Sequence, residues 1–304
     1  MMQPVKVPLK IIWVGEHAVC FDKKAIGQVL PHLQLRLEFD GDYRKDNEPA
    51  VVAFIDRFWE WCAQDLPNFE RSKVPLFKVV ADAPFGIGLG TSAALAVALA
   101  HLVAKTFVGT GGSQLKNLIE RSETNMHFKP SGVDQYLVCQ TEGVHTYQVG
   151  EGRLMNTAFP YPFVLFDSGG TSTTAEMVTA VKHLWDTKRS KAFNLIRKIG
   201  NLSYKMIEDL RKGFYEPIFD IIVENQVLLN ELGVVTEPVN DFCIRLKTFK
   251  IAAKVTGAGG VDGGSGLILI CYQNPDQYNQ VRQLADQYNF NLIYKASKSE
   301  NGYI

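Results

Sequence analysis

The segment Ala83–His101, APFGIGLGTSAALAVALAH, does most to limit how this chain can fold. Gly86, Gly88 and Gly90 alternate with Ile87 and Leu89, and an alanine-rich apolar run follows. Glycine supports positive φ and lets a ligand or a second backbone come close. Thr91 and Ser92 fall where a helix from Thr91 to Phe107 must begin. The first-turn N–H groups of a helix have no partner within it, and its dipole favours an anion there. A hydroxyl at Thr91 or Ser92 adds a donor, or a ligand for a hard cation such as Mg²⁺. The small Ala93, Ala94 and Ala96 suit close packing behind the turn. Two readings fit: a phosphate cradle, or a steric turn capped by Thr91. The G-x-G-x-G spacing is not the dinucleotide fingerprint, and no lysine follows the last glycine as in a Walker loop.

A length of 304 residues suits one large unit or two intimate lobes. With 46% hydrophobic and 21% charged residues the chain can build a real core. Lysine plus arginine equals aspartate plus glutamate, 32 each, so net charge gives no reason to expect nucleic acid or an anionic membrane as partner. The five cysteines are scattered, with no C-x-x-C pair, which argues against a disulfide framework or zinc site and for a reducing, cytoplasmic compartment. They are expected in the core. No segment has the apolar length of a membrane span.

Strands are expected at Lys10 to about Gly15, His32–Phe39, Leu76–Pro84 and Tyr161–Gly170, and on both sides of a second glycine loop in KIAAKVTGAGGVDGGSGLILICY. GVHTYQVGEGRLMNTAF predicts a hairpin turning at Gly150-Glu151-Gly152. Helical spacing marks Ala50–Leu66, the 112–126 stretch, Thr174 to Leu210, the EPIFDIIVENQVLLNELGV run and PDQYNQVRQLADQYNF, with a closing strand NLIYKA. Strands and helices do not alternate regularly, so the expected class is α+β. A boundary near residue 155 divides the chain into 1–155 and 156–304.

Four stretches share a pattern: PLKIIWVGEHAV, PFGIGLGTSAA, ETNMHFKPSGVDQ and KVTGAGGVDGG. In this order and spacing they resemble the GHMP small-molecule kinases, and within them the mevalonate kinases. FDSGGTSTTAEMV and ENQVLLNELGVV are similar to further stretches of those enzymes. The resemblance implies a two-lobed α+β fold, with a ribosomal protein S5 domain 2-like N-terminal lobe, a ferredoxin-like C-terminal lobe and the nucleotide between them. It implies ATP and Mg²⁺ as cofactors and a small-molecule alcohol, mevalonate foremost, as acceptor; phosphomevalonate or a sugar is the alternative. A homodimer is compatible with it.

Residue by residue, the resemblance makes Lys10 and Asp134 the catalytic pair. Pro84, Gly86, Gly88, Leu89, Gly90, Thr91, Ser92 and Ala93 become the nucleotide-phosphate loop. Ser92 and Glu123, the latter eleven residues before Asp134, become the Mg²⁺ ligands. Glu16, His17, Ser131, Thr256, Gly257 and Ala258 become the acceptor side. The chemistry wants this set. Phosphoryl transfer needs positioning and charge stabilisation. Asp134 can orient or deprotonate the attacking hydroxyl, and both roles are open to it. Lys10 and the metal can offset charge on the γ-phosphate. Lys10 would also keep Asp134 ionised. Departures from the family pattern are Leu9 for glycine, Phe128 for glycine, Gln135 for asparagine, and Asp262, which looks more like phosphomevalonate kinases.

Overall fold

The computed structural model describes residues 2–124, 131–169, 181, 183–257, 259, 260 and 264–296. Two antiparallel sheets divide the strands. The first holds β1 (Val5–Val14), β2 (Ala25–Glu38), β3 (Lys78–Ala81), β4 (Val144–Gln148) and β5 (Glu151–Leu154). β2 is its spine. One edge pairs with β1 along the strand; the other pairs with β4 through Ala25–Gln28 and with β3 through Leu35–Glu38. The β1–β2 register shifts between Pro8 and Leu9, opposite Gln34 and Leu30, so Pro31 lies in the looped-out stretch. A proline has no N–H for a ladder, and both prolines sit where the ladder is interrupted. β2 therefore starts at Ala25, earlier than the alternation from His32 suggests.

The hairpin joining β4 to β5 turns on Val149 and Gly150, both at positive φ (48° and 79°), not on the glycine-flanked triplet expected. A two-residue turn with positive φ at both positions matches the twist of its strands. Gly152 is in β5 for a different reason: a Cβ there would lie 1.9 Å from the Tyr136 ring.

On this sheet pack α3 (Thr91–Thr106) and the short α1 (Tyr43–Asp46) and α5 (Val133–Val138), while α2 (Pro49–Asp65) and α4 (Gly112–Thr124) pack against α3. In α2, Val51, Ile55, Phe58 and Cys62 form one buried stripe at helical spacing, and Pro49 sits in its first turn. α3 packs against β1, α4 and α5 and is buried on almost every side from Ala94 to Val103, as its apolar sequence requires.

The second sheet holds β6 (Phe163–Asp167), β7 (Ala252–Thr256), β8 (Leu267–Cys271) and β9 (Asn291–Lys295), in the order β7-β8-β6-β9. This is the ferredoxin-like split arrangement. Its helices are α6 (Arg189–Lys212), α7 (Ile218–Leu232), α8 (Glu237–Thr248) and α9 (Pro275–Gln287). Helix α8 lies outside the stretches expected to be helical, although Val239, Phe242, Cys243 and Leu246 carry the period of a buried helical face. Between the sheets Trp13 stacks on Phe159 at 3.4 Å between ring centroids and meets the Phe163 edge at 5.1 Å.

Cys62, Cys139, Cys243 and Cys271 are free thiols. Cys62, Cys243 and Cys271 are core residues, but Cys139 at the end of α5 is exposed, against the expectation. No helix among the described residues is long and apolar enough to cross a membrane.

Candidate active site

The glycine loop between β3 and α3 adopts the strained geometry its sequence allows. Gly86, Gly88 and Gly90 have φ of 85°, 108° and 74°. Ile87 and Leu89 between them are buried and anchor the loop. Each glycine answers a different need. A Cβ at Gly86 would meet nothing within 4 Å, at Gly88 it would lie 2.6 Å from the Thr256 carbonyl oxygen, and at Gly90 2.7 Å from Lys10 Cε. Gly90 is the N-cap of α3, and no side chain caps the helix. Thr91 is therefore not the cap: it is the first helical residue, and it is buried. Ser92 and Ala93 beside it are partly open.

Lys10, in β1, is fully buried yet charged at its tip. Its Nζ lies 2.8 Å from Asp134 Oδ1 and donates to the Gly88 carbonyl at 3.1 Å. Its backbone N–H donates to the Leu89 carbonyl at 3.1 Å. One ammonium thus touches the glycine loop and the carboxylate at the start of α5. Asp134 keeps a third of its side chain exposed, so it faces open space as well as Lys10. Gly132, at φ 78°, is the N-cap of α5, and a Cβ there would lie 2.3 Å from the Tyr147 hydroxyl.

Glu123, near the end of α4, joins this group. Its Oε1 accepts from the backbone N–H groups of Ser131 and Gly132, both at 3.0 Å. Burial pushes its carboxyl up to about 7; Asp134 adds to the rise, while the two N–H groups and Lys10 oppose it. The Ser131 hydroxyl accepts from the Val133 N–H at 3.3 Å. His127 and Phe128, and in the second glycine loop Ala258 and Asp262, lie outside the described residues.

The second glycine loop packs against the first. The Thr256 hydroxyl donates to the Ile12 carbonyl at 2.7 Å and accepts from the Ile12 N–H at 3.1 Å. A Cβ at Gly257 would lie 2.6 Å from Gly88 Cα, and Leu267 N–H donates to the Ile87 carbonyl at 2.9 Å. Two backbones meet here with no room for side chains, which explains a glycine on each.

Glu16 is 3% exposed and ion-paired with Lys254 in β7, which is wholly buried. Its Oε2 accepts from Asn225 Nδ2 in α7 at 3.3 Å. Burial pulls the Lys254 ammonium below its ordinary pKa, and Glu16 opposes that shift. Both oxygens of Glu16 are thus engaged inside the protein. His17 follows at φ 59°. Lys254 and Asn225 did not stand out in the sequence; the available signal was a lysine centred in the otherwise apolar strand Ala252–Thr256.

Residues 53–142 match the family described as GHMP kinases N terminal domain. A mevalonate kinase of Archaeoglobus fulgidus is 27% identical over 269 residues, covering 83% of this chain and 88% of that protein. Mevalonate kinase of Methanococcus jannaschii superposes with a TM-score of 0.71 at 17% identity, over 97% of this chain and 98% of the other. The chain has the fold of the GHMP kinases, and residues 53–142 match their N-terminal domain. A phosphomevalonate kinase of Streptococcus pneumoniae superposes equally well, at a TM-score of 0.71 and 14% identity over 97% of this chain and 99% of that one. The GHMP kinase fold by itself therefore does not choose the acceptor.

Proposed function

We propose that this chain is an ATP-dependent kinase that phosphorylates the primary hydroxyl of mevalonate to give 5-phosphomevalonate. One observation carries the reading: the buried Lys10 ammonium contacts both Asp134 and the carbonyl of Gly88 in the glycine loop. That is the place for a cation between a nucleotide's terminal phosphate and the group that orients an acceptor hydroxyl. Donor phosphates are assigned to Pro84–Ala93, where the N–H groups at the start of the 16-residue α3 have no side-chain cap. Asp134 orients the hydroxyl and takes its proton as the new P–O bond forms and the bond from the γ-phosphorus to the bridging oxygen breaks, with ADP leaving. His17, Ser131, Thr256 and Gly257 are assigned to the acceptor side. With lobes drawn at 1–155 and 156–304, the donor loop is assigned to one and the closing glycine loop to the other.

The residues fit Mg²⁺. Ser92 offers a hydroxyl and Glu123 a carboxylate, both hard oxygen donors. Glu123 is buried with its carboxyl raised to about 7, a charge that a cation would stabilise. When bound, the metal would neutralise charge on the phosphate oxygens.

Mevalonate ranks first because the curated relatives, including the one from Archaeoglobus fulgidus, are named mevalonate kinases. Phosphomevalonate is the second reading, on the equal superposition with the Streptococcus pneumoniae enzyme. A coupled assay with ATP and Mg²⁺ against mevalonate, phosphomevalonate and hexoses decides between them. Turnover of another acceptor with none on mevalonate overturns the substrate assignment.

A further inference from the structure

Glu16 and Lys254 join parts of the chain far apart in sequence. Glu16 lies in the turn after β1, Lys254 in the middle of β7, and Asn225 in α7. Besides Glu16, the Lys254 ammonium reaches the Ile12 carbonyl at 3.4 Å. Lys254 and Thr256 are two residues apart on one strand, so they share a face, and both engage Ile12. Asn225 is fully buried, and its Oδ1 has no partner among the described residues. A buried ion pair with an incompletely satisfied amide beside it is a poor source of net stability, and its best-attested use is to fix geometry.

The geometry held is unusual. Gly15 has φ 110°, and a Cβ there would lie 2.5 Å from Ala25 Cα. His17 sits at φ 59°, a region side chains other than glycine rarely adopt. Backbone bonds from Ala18 N–H to Glu16 O (2.6 Å) and from Val19 N–H to Gly15 O (2.9 Å) close the turn. Such a turn persists where its surroundings over-determine it.

We propose that Glu16 is a positioning residue and not an acceptor contact: with Lys254 and Asn225 it clamps the Gly15–His17 turn to the second sheet, holding the acceptor side in register with Lys10 and Asp134. This rests on the kinase reading for its catalytic consequence, but the clamp itself does not. Lys10 is on β1, which leads directly into the turn, so a slack turn misplaces the acceptor without removing the charges that act on it.

The test is a double-mutant cycle of Glu16→Gln and Lys254→Met, read by melting without substrate and by kinetics with ATP and the acceptor. Each single variant is expected to melt below the wild type and to lose at least about tenfold in kcat. KM for ATP should stay within about twofold, and a larger share of ATP should be hydrolysed to water. The double variant is expected to melt above both singles and turn over no worse than the poorer one. The proposal is overturned if the two effects multiply. It is equally overturned if Lys254→Met keeps turnover within about twofold while Glu16→Gln alone raises the acceptor KM about tenfold. Should Lys254→Met fail to fold, Asn225→Ala keeps the ion pair and carries the test, with a several-fold fall in kcat expected and none overturning the proposal. The melting cycle needs no acceptor, so an enzyme inactive on mevalonate would remove the substrate assignment and leave the clamp to be decided.

Discussion

Lys10 holds a charge with no exposed surface, and two partners account for it: the Asp134 carboxylate and the Gly88 carbonyl. Replacing Lys10 by Met keeps most of the side chain's bulk and removes only that charge. Turnover should fall by orders of magnitude in Lys10→Met and in Asp134→Ala while a fluorescent ATP analogue still binds. Near-normal turnover in either would refute the assigned role. Glu123 supplies a pH signature. Its folded pKa is about 7 against an ordinary 4.5, so between these values the folded state holds a proton that the unfolded chain has released. Metal-free stability should therefore fall as pH rises through that window. Mg²⁺ must displace the same proton, so its affinity should strengthen over the same rise. Calorimetric melts at pH 5 to 8 with and without Mg²⁺ would show both trends, and Glu123→Gln should flatten them.

The glycine loop shows how one element can be legible in kind and not in detail. Three alternating glycines before an apolar run were enough to place a tight turn at a helix start. Which glycine opposes what depends on partners far off in the sequence, Thr256 for Gly88 and Lys10 for Gly90, and no local pattern encodes them. Gly86→Ala meets only the cost of positive φ, about 1 kcal/mol, whereas Gly88→Ala also drives a methyl to 2.6 Å from the Thr256 carbonyl. Chemical denaturation should find Gly88→Ala clearly the less stable, and ATP affinity should fall with it. The same limit explains the cap. Thr91 is a good N-cap residue by type, but Gly90, at φ 74°, turns the chain one residue earlier. It also explains Glu16, whose partners Lys254 and Asn225 come from β7 and α7. Helix α8, in contrast, is written in its own spacing, with Val239, Phe242, Cys243 and Leu246 on one buried face.

Across the whole molecule the two sheets are joined by polar contacts as well as by the Trp13–Phe159–Phe163 stack. Thr256→Val keeps the shape and removes both hydroxyl bonds to Ile12, leaving its buried N–H without that acceptor and its carbonyl with only the Lys254 ammonium at 3.4 Å, at a cost of about 1–3 kcal/mol. Tryptophan fluorescence and far-ultraviolet circular dichroism should still report one coincident transition, at a lower temperature. Two separate transitions would show that the sheets unfold independently.

β2 has a last consequence. It shares one edge with β1 on both sides of the interruption at 31–33 and divides the other between β4 and β3. Its amides at Gln28 and Leu35–Leu37 lie inside a ladder that no local opening can expose. In deuterated buffer these should be among the last protons in the N-terminal half to exchange, at a rate set by global unfolding. The amides of the edge strand β5, one hairpin away, should be replaced far sooner.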